Sequence, residues 1–513
     1  MFSEHKSDIK LIAKYSNLSN GIVKSDSLEL SNTGADYIYS KDKTGDFRAF
    51  RYELPINDPC SLQFLISYQD FSILTYLTFI RPKTNFSTTI LNKFIFSGKM
   101  ITTQPNNGII NVENCDATTE SNYKKDLNKT LDKKVLLVRK AVELLNKQLH
   151  SKYDQVWIYT DASGRIDNGW YQFEHDATVD DNIMRYYVSN NVNLPEFNNT
   201  SKSKVIAYGS PAHKILHWVA DKRLFSDVSL VCISPWDNNA RSFYADFDHA
   251  ERIYLQHGVL WSHMPWYYSY DKVFTDKEVV STHFEIENLT KNYMFKSDEL
   301  IPCGMPRYDF IEHNQSTKKR ILVCPSWRSY LVGDLTPEGR ASKTDEFLQS
   351  NYYKNLWSLL TDNRLINLLK EYGYELDLKL HPNFSCYGEL FSDLHSPINY
   401  VDSVENESEY AIIVTDYSSY CFDFVYLKRS IIYYIPDEVE FRSGYNNYNT
   451  LDMDLDNAMG EHAITPSDVI DAIHRALKND GKPCEPYSQR ESDFFLFYDN
   501  NQRERLYKAL INN

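Results

Sequence analysis

Residues 410–435, YAIIVTDYSSYCFDFVYLKRSIIYYI, constrain the fold of this chain more than any other stretch. An apolar run at 411–414 has the length and composition of a buried strand. Thr415-Asp416-Tyr417-Ser418-Ser419 follow, residues suited to a tight loop and a helix N-cap. A helical segment then sets Phe422, Val425 and Tyr426 on one face. It ends in Lys428-Arg429, cations that complement the negative end of a helix dipole. A second apolar run, 431–435, stops at Pro436. Strand, loop, helix, strand is a βαβ unit, whose crossover forces the two strands to lie parallel. A helix N-terminus at such a loop presents free N–H groups to an anion, and Ser418 and Ser419 add hydroxyl donors. An ordinary capped helix explains the same residues.

The rhythm extends through most of the chain. Strands are predicted at 156–159, 184–188, 204–207, 229–233, 252–255 and 272–275, then, beyond a polar break at 312–319, at 321–324, 376–380 and 399–401. Residues 134–148 read as an amphipathic helix. Its Lys133, Lys134, Arg139 and Lys140 offer a contact for anionic lipid, although packing on a sheet is the simpler use. Strands alternating with helices call for two mostly parallel sheets, with ligand groups at the carboxyl ends of the strands. A final helix is predicted over 493–511, able to cross back to the first α/β unit. Residues 1–125 differ: short strands at 36–40, 47–54, 62–67 and 73–79, separated by turn clusters, suggest a small β-sandwich. A boundary in the polar stretch 114–128 then gives three domains, 1–125, 126–311 and 312–513.

Composition removes some functions. A net charge of −15 argues against general nucleic-acid binding, which needs a basic face, but leaves room for one nucleotide in a local basic pocket. The eight cysteines are scattered without a CxxC pair, as in a reducing compartment with no structural zinc. No run approaches the roughly 18 apolar residues of a membrane span. The first residues lack the apolar core of a signal peptide. A cytoplasmic protein, free or peripheral on a membrane, is expected.

Five polar clusters directly follow predicted strands or close a unit. Gln256-His257-Gly258 places an imidazole where it can take a proton from an attacking hydroxyl. His381-Pro382 ends the strand at 376–380 with a second imidazole able to donate to a phosphoryl oxygen. Pro325-Ser326-Trp327-Arg328 carries a guanidinium suited to two-pronged phosphate contact. Gly304-Met305-Pro306-Arg307-Tyr308-Asp309 precedes the polar break. The fifth is Thr415 to Ser419, with Asp423 one turn on from Ser419 and able to accept from ribose hydroxyls. A structural histidine, a solvated arginine and a plain turn are the alternatives for each cluster taken alone.

In this order, QHG, GMPRYD, PSWR, HP and TDYSS-x3-DF-x2-LKR resemble the CDP-glycerol glycerophosphotransferase family of teichoic acid primases and polymerases. Arg165-Ile166-Asp167-Asn168-Gly169 is similar to that family's Asp-Asn-Gly segment, and 494–505 to its C-terminal tail. The resemblance covers about 130–510 and leaves the β-rich first quarter outside it. It implies a GT-B fold of two Rossmann-like domains beside the N-terminal all-β domain, and transfer of an alditol phosphate from a CDP-linked donor with release of CMP. It implies His257 as base and His381 as second essential histidine, with Arg328, Ser418 and Ser419 at the donor phosphates. The expected donor-binding set adds Arg307, Ser326, Thr415 and Asp416 from the same clusters, and Asp423 on the ribose as our own inference from its place on the helix. Arg165, Asp167 and Asn168 fall on the acceptor side. Family members often follow His-Gly with a small residue and a lysine, whereas here Val259-Leu260-Trp261-Ser262-His263 follows, a departure that bears on the acceptor.

The function expected is therefore transfer of glycerol phosphate or ribitol phosphate to a hydroxyl of a teichoic-acid-like or capsular polymer. The partners implied are a CDP-alditol donor, a lipid-linked or oligomeric polyol-phosphate acceptor and the inner face of the membrane. No metal-binding carboxylate motif follows a strand, so no cofactor is required by the pattern, with Mg²⁺ as the open alternative. A nucleotide-sugar glycosyltransferase of the same fold and a non-catalytic scaffold are the competing readings.

Overall fold

The computed structural model describes the chain from residue 109 onward apart from 162–165, 199–203, 229–233, 237–242, 245–246, 271, 274, 312–317, 337–338, 446–449 and 513, and before it 9–17, 28–29, 36–38, 46–48, 59–68, 71–74, 93–96 and 99–104. The chain forms two compact units. The first comprises Met1–Gln256, Pro265–Val279 and Leu289–Ile301; the second comprises His257–Met264, Val280–Asn288 and Pro302–Asn513.

In the first unit, described strands of the N-terminal quarter pair antiparallel in a seven-stranded sheet. Cys60–Tyr68 lies between Ile9–Asn17 and Ile109–Asn114. The polar stretch expected as a domain boundary is largely helix. Asp116 accepts from Thr119 N to start α1, Ala117–Thr130. Its Tyr123 and Leu127 join one core cluster with Met100 and Val142. Asp132 caps α2, Lys133–His150, by accepting from Lys134 N and Val135 N. Val135, Val142 and Leu149, seven residues apart, face the core with Val156 and Ile158. Arg139 lies on that buried side, donating to Phe243 O at 2.7 Å over the Phe247 ring, so it is not a lipid contact.

The first parallel sheet runs β1 (Gln155–Thr160), β2 (Ile183–Ser189), β3 (Val205–Ala207), β4 (Lys222–Phe225), β5 (Glu251–Tyr254), β6 (Lys277–Val280) and β7 (Leu300–Pro302), in spatial order β3-β2-β1-β4-β5-β6-β7. Two further helices, α3 (Asn168–Asp176) and α4 (Pro211–Val219), belong to this unit. Of the predicted strands, 229–233 lies outside the described residues, and the described residues of 272–275 (272, 273 and 275) are not in a strand; β6 begins at Lys277. β4 escaped the sequence reading because KRLF looks polar. Lys222 and Arg223 are nevertheless buried, neutralised by Glu251 and Asp248.

The second unit repeats the design with β8 (Arg320–Val323), β9 (Glu375–Leu378), β10 (Ile398–Tyr400), β11 (Ile412–Thr415), β12 (Ser430–Tyr434) and β13 (Gly460–Ala463). Their order is β10-β9-β8-β11-β12-β13, with every neighbouring pair parallel. Ile412, Val414, Ile432 and Tyr434 enter one core cluster, while Ile413, Ile431 and Tyr433 enter another. A sheet covered on both faces needs apolar residues at every position, which is why these strands read as unbroken apolar runs. Between β11 and β12 lies α5, Cys421–Tyr426, and the chain closes with α6, Gln502–Ile511. The C-terminal segment expected as one helix is split: Tyr487–Phe494 is helical, and Phe495 leaves it extended before α6. In both sheets the strand order reverses beside the first strand, between β1 and β4 and between β8 and β11. Such a switch point opens a crevice at the carboxyl ends.

Gly460 pairs with Ile431, and a Cβ on it would lie 2.1 Å from the Ile431 carbonyl oxygen. Gly460→Ala should lower stability by roughly 1–3 kcal/mol. A thermal midpoint equal to that of the parent chain would show that the β12–β13 edge yields freely.

Candidate active site

The switch point of the second sheet is tied together by side chains. Thr415 Oγ1 donates to Cys324 O at 2.8 Å, and Ser326 N donates to Asp416 Oδ1 at 2.8 Å. Arg328, 1% exposed, fills the space between the loops. Its Nε and Nη2 donate to Asp437 Oδ2 and Oδ1 at 2.6 and 2.8 Å; its Nη1 reaches Ser326 Oγ at 3.0 Å and Asp416 Oδ2 at 2.8 Å. Tyr352 and Tyr417 lie against its guanidinium. Burial opposes the charge, but Asp416 and Asp437 outweigh it and push the guanidinium pKa further up.

This geometry corrects the expectation of a phosphate grip by Arg328. The planar fork is taken by Asp437, and no face of it reaches solvent. Thr415, Asp416 and Ser326 are likewise turned inward as struts between β8 and β11. Arg307 and Asp423 are committed to each other at 2.6 Å, so the ribose contact expected of Asp423 gives way to an internal ion pair. Burial, opposed by Arg307, pushes the Asp423 carboxyl up to about 6.

Ser418 and Ser419 stand half-buried in the turn before α5. That helix has six residues and no side-chain N-cap, so they do not cap it as expected. Ser418 Oγ instead accepts from Tyr420 N at 3.3 Å within the turn. A helix this short sums few peptide dipoles, so the hydroxyls are the donors this turn offers to an anion. Lys428 closes α5 in the left-handed region at φ 55°, with its N–H on Val425 O.

His257 is exposed and opens a segment of the second unit. Gly258 brings this segment to the serine turn: a Cβ there would lie 3.1 Å from Ser419 Oγ. Beyond it, Val259 and Trp261 are core residues, and Trp261 Nε1 donates to Tyr417 O at 3.0 Å. The departure at 259–263 is therefore largely packing. His263 is the exception: its Nδ1 lies 2.5 Å from Asp452 Oδ1, and Asn288 Nδ2 donates to Asp452 Oδ2 at 3.0 Å. His381 Nδ1 accepts from Asn383 N at 3.1 Å, which leaves the ring proton on Nε2, and the ring stacks on Trp327.

In the first unit, Gln256 ends its segment at φ 60°, a strained conformation for a residue with a Cβ. Its Nε2 donates to Glu278 Oε1 at 2.9 Å, and its carbonyl accepts from Asn168 Nδ2 at 2.7 Å. Asn168, expected on the acceptor side, is buried, and its amide serves the turn into His257. Asp167 caps α3. Arg165 lies outside the described residues. Asp161 was missed by the sequence reading. It accepts from the N–H groups of Asp167, Gly169 and Trp170 and from Tyr187 OH, and burial raises its pKa. Gly169 is required there, since a Cβ would sit 2.6 Å from Asp161 Oδ1. The signal was available: Thr160-Asp161 ends β1 as Thr415-Asp416 ends β11, each beside a switch point.

Two parallel sheets of Rossmann strand order, the second with a His-Gly segment set against a Ser-Ser turn, define a fold of the GT-B class. The chain belongs to the CDP-Glycerol:Poly(glycerophosphate) glycerophosphotransferase family, whose profile matches residues 147–512. It is 27% identical over 372 residues to the minor teichoic acid biosynthesis protein GgaB of Bacillus subtilis (strain 168), covering 69% of this chain and 39% of GgaB. Over 220 residues it is 27% identical to the teichoic acid poly(glycerol phosphate) polymerase of the same strain, covering 39% of this chain and 26% of that protein. The chain thus spans well under two thirds of these relatives. A structure of the wall teichoic acid polymerase TagF superposes with a TM-score of 0.51 at 16% identity, over 73% of this chain and 92% of that one, which shows the shared fold.

Removing one member of a buried ion cluster strands the others. Arg328→Met should destabilise the chain by about 3–5 kcal/mol in urea unfolding. A variant as stable as the parent but weaker for CMP would instead make the guanidinium a ligand.

Proposed function

We propose that this chain transfers glycerol phosphate or ribitol phosphate from a CDP-alditol to a hydroxyl of a polyol-phosphate polymer, releasing CMP. The observation that carries the reading is the approach of Gly258 to Ser419. It sets an exposed imidazole beside a hydroxyl-lined turn at the carboxyl edge of a parallel sheet. The acceptor oxygen attacks the β-phosphorus while His257 takes its proton. The bond from that phosphorus to the bridging oxygen breaks, and CMP leaves with the electron pair. Ser418, Ser419 and the Nε2–H of His381 donate to the pyrophosphate oxygens, where charge stabilisation matters most.

Asp416 and Asp437 pair with Arg328, and the proposed step uses neither as a Mg²⁺ ligand. The assay offers CDP-glycerol and CDP-ribitol with a short polyol-phosphate acceptor and weighs the products. His257→Ala should cut CMP release by about 10²–10⁴. Activity should persist in excess EDTA. Unchanged release by the variant, or preferential binding of UMP or GMP, would sink the reading; loss in EDTA restored by Mg²⁺ would overturn the metal-free step.

We further propose that the chain works at the inner face of the membrane, on a lipid-linked or oligomeric acceptor. Among the described residues no helix is long and apolar enough to cross a bilayer. On α2, however, Leu137 and Leu144 are 67% and 69% exposed, seven residues apart. They alternate with exposed Lys133, Lys140 and Lys147 along one stripe. Leucines that insert between lysines that snorkel suit an anionic lipid surface. The chain should co-sediment with phosphatidylglycerol vesicles, and a double Leu137→Glu, Leu144→Glu variant should not. Equal sedimentation of the two would remove α2 from the contact.

A further inference from the structure

We propose that Lys379 is the cation that receives the donor's pyrophosphate, the role the sequence suggested for Arg328. The inference rests on the CDP-alditol reading for its ligand, but its geometry is independent of that reading. At the β8–β11 switch point one guanidinium faces two carboxylates, Asp416 and Asp437, all three buried. That cluster carries a net negative charge and repels a diphosphate. Arg307 is neutralised by Asp423. Two serine hydroxyls and one imidazole N–H would then face a pyrophosphate without a full positive charge, in a site where phosphoryl transfer gains most from one.

Lys379 supplies it. Its N–H donates to Val323 O at 2.9 Å, continuing β9 one residue beyond its last strand position, so the side chain leaves from the carboxyl edge next to β8. The side chain is half-buried, and its Nζ sits 5.3 Å from the centre of the Tyr420 ring. Tyr420 directly follows Ser418-Ser419. Its ring is fixed by a 2.7 Å bond from its hydroxyl to Glu407 Oε1 and by edge contact with Phe424. An aromatic face attracts an ammonium without accepting its hydrogen bonds, so the N–H donors stay available to a ligand. Among the described residues no carboxylate lies within ion-pair distance of Lys379. The ammonium also acts on the same edge, where it opposes the burial that pushes the Cys324 thiol up to about 11. Two residues on, His381 stands at the head of the next turn. Lys379, the serine turn and His381 are thus gathered at one edge of one sheet.

The test is calorimetric titration of the full chain with CDP-glycerol and, separately, with inorganic pyrophosphate. Lys379→Met should weaken both by about 10- to 100-fold, the worth of one charge-assisted hydrogen bond. Lys379→Arg should keep most of the affinity, and the loss should shrink at high salt. The half-buried position should leave the melting temperature of both variants unchanged. Undiminished affinity of Lys379→Met for both ligands overturns the proposal, as does a loss that arginine fails to restore. Pyrophosphate binding that depends on Lys379 without CDP-glycerol binding would sustain the anion site and remove the CDP-alditol reading. A parent chain that binds neither ligand overturns both.

Discussion

The second unit depends on one buried charge cluster. Arg328 joins the loop after β8 to the loops after β11 and β12 through Asp416 and Asp437, with Ser326 completing its donors. Taking three charges out of water costs several kcal/mol per ion, and only close geometry offsets it. The same bonds fix the direction in which Ser418 and Ser419 leave the sheet. A lysine at position 328 would keep the charge but lose the fork that spans Asp437.

The first unit solves the matching problem with an anion of its own. Asp161 sits where a bound phosphate would sit in a dinucleotide fold, filling the N-terminus of α3 with a carboxylate. That leaves Asn168 to hold the carbonyl of Gln256 in a strained turn. Strain at a chain position directly before an exposed histidine fixes where that histidine emerges. The two sheets thus use one device, a strand-end aspartate on backbone N–H groups, for opposite ends. In the first it fills the helix N-terminus, and in the second it braces the loops after β8 and β11.

Much of the fold was legible because buried parallel strands must be apolar throughout. Residues 411–414 and 431–435 gave β11 and β12 to within one position. Strands with paired charges, such as Lys222–Phe225, hid behind their polarity, since burial by ion pairing leaves no trace in an apolar count. The site was legible as a list of clusters but not as a division of labour. His257, Ser418, Ser419 and His381 remain at or near the surface, whereas Arg328, Asp416, Asp423 and Asn168 went into the interior.

By itself, the sequence determined the α/β class, the family and the strand ends that carry polar residues. Those properties follow from periodicity and from motifs local to the chain. Tertiary structure alone decided which polar residues face one another. Asp437 lies more than a hundred residues from Arg328, and its carboxylate converts an apparent phosphate ligand into a strut. Charge pairing depends on distance in space, and no local pattern records which partner a guanidinium will find.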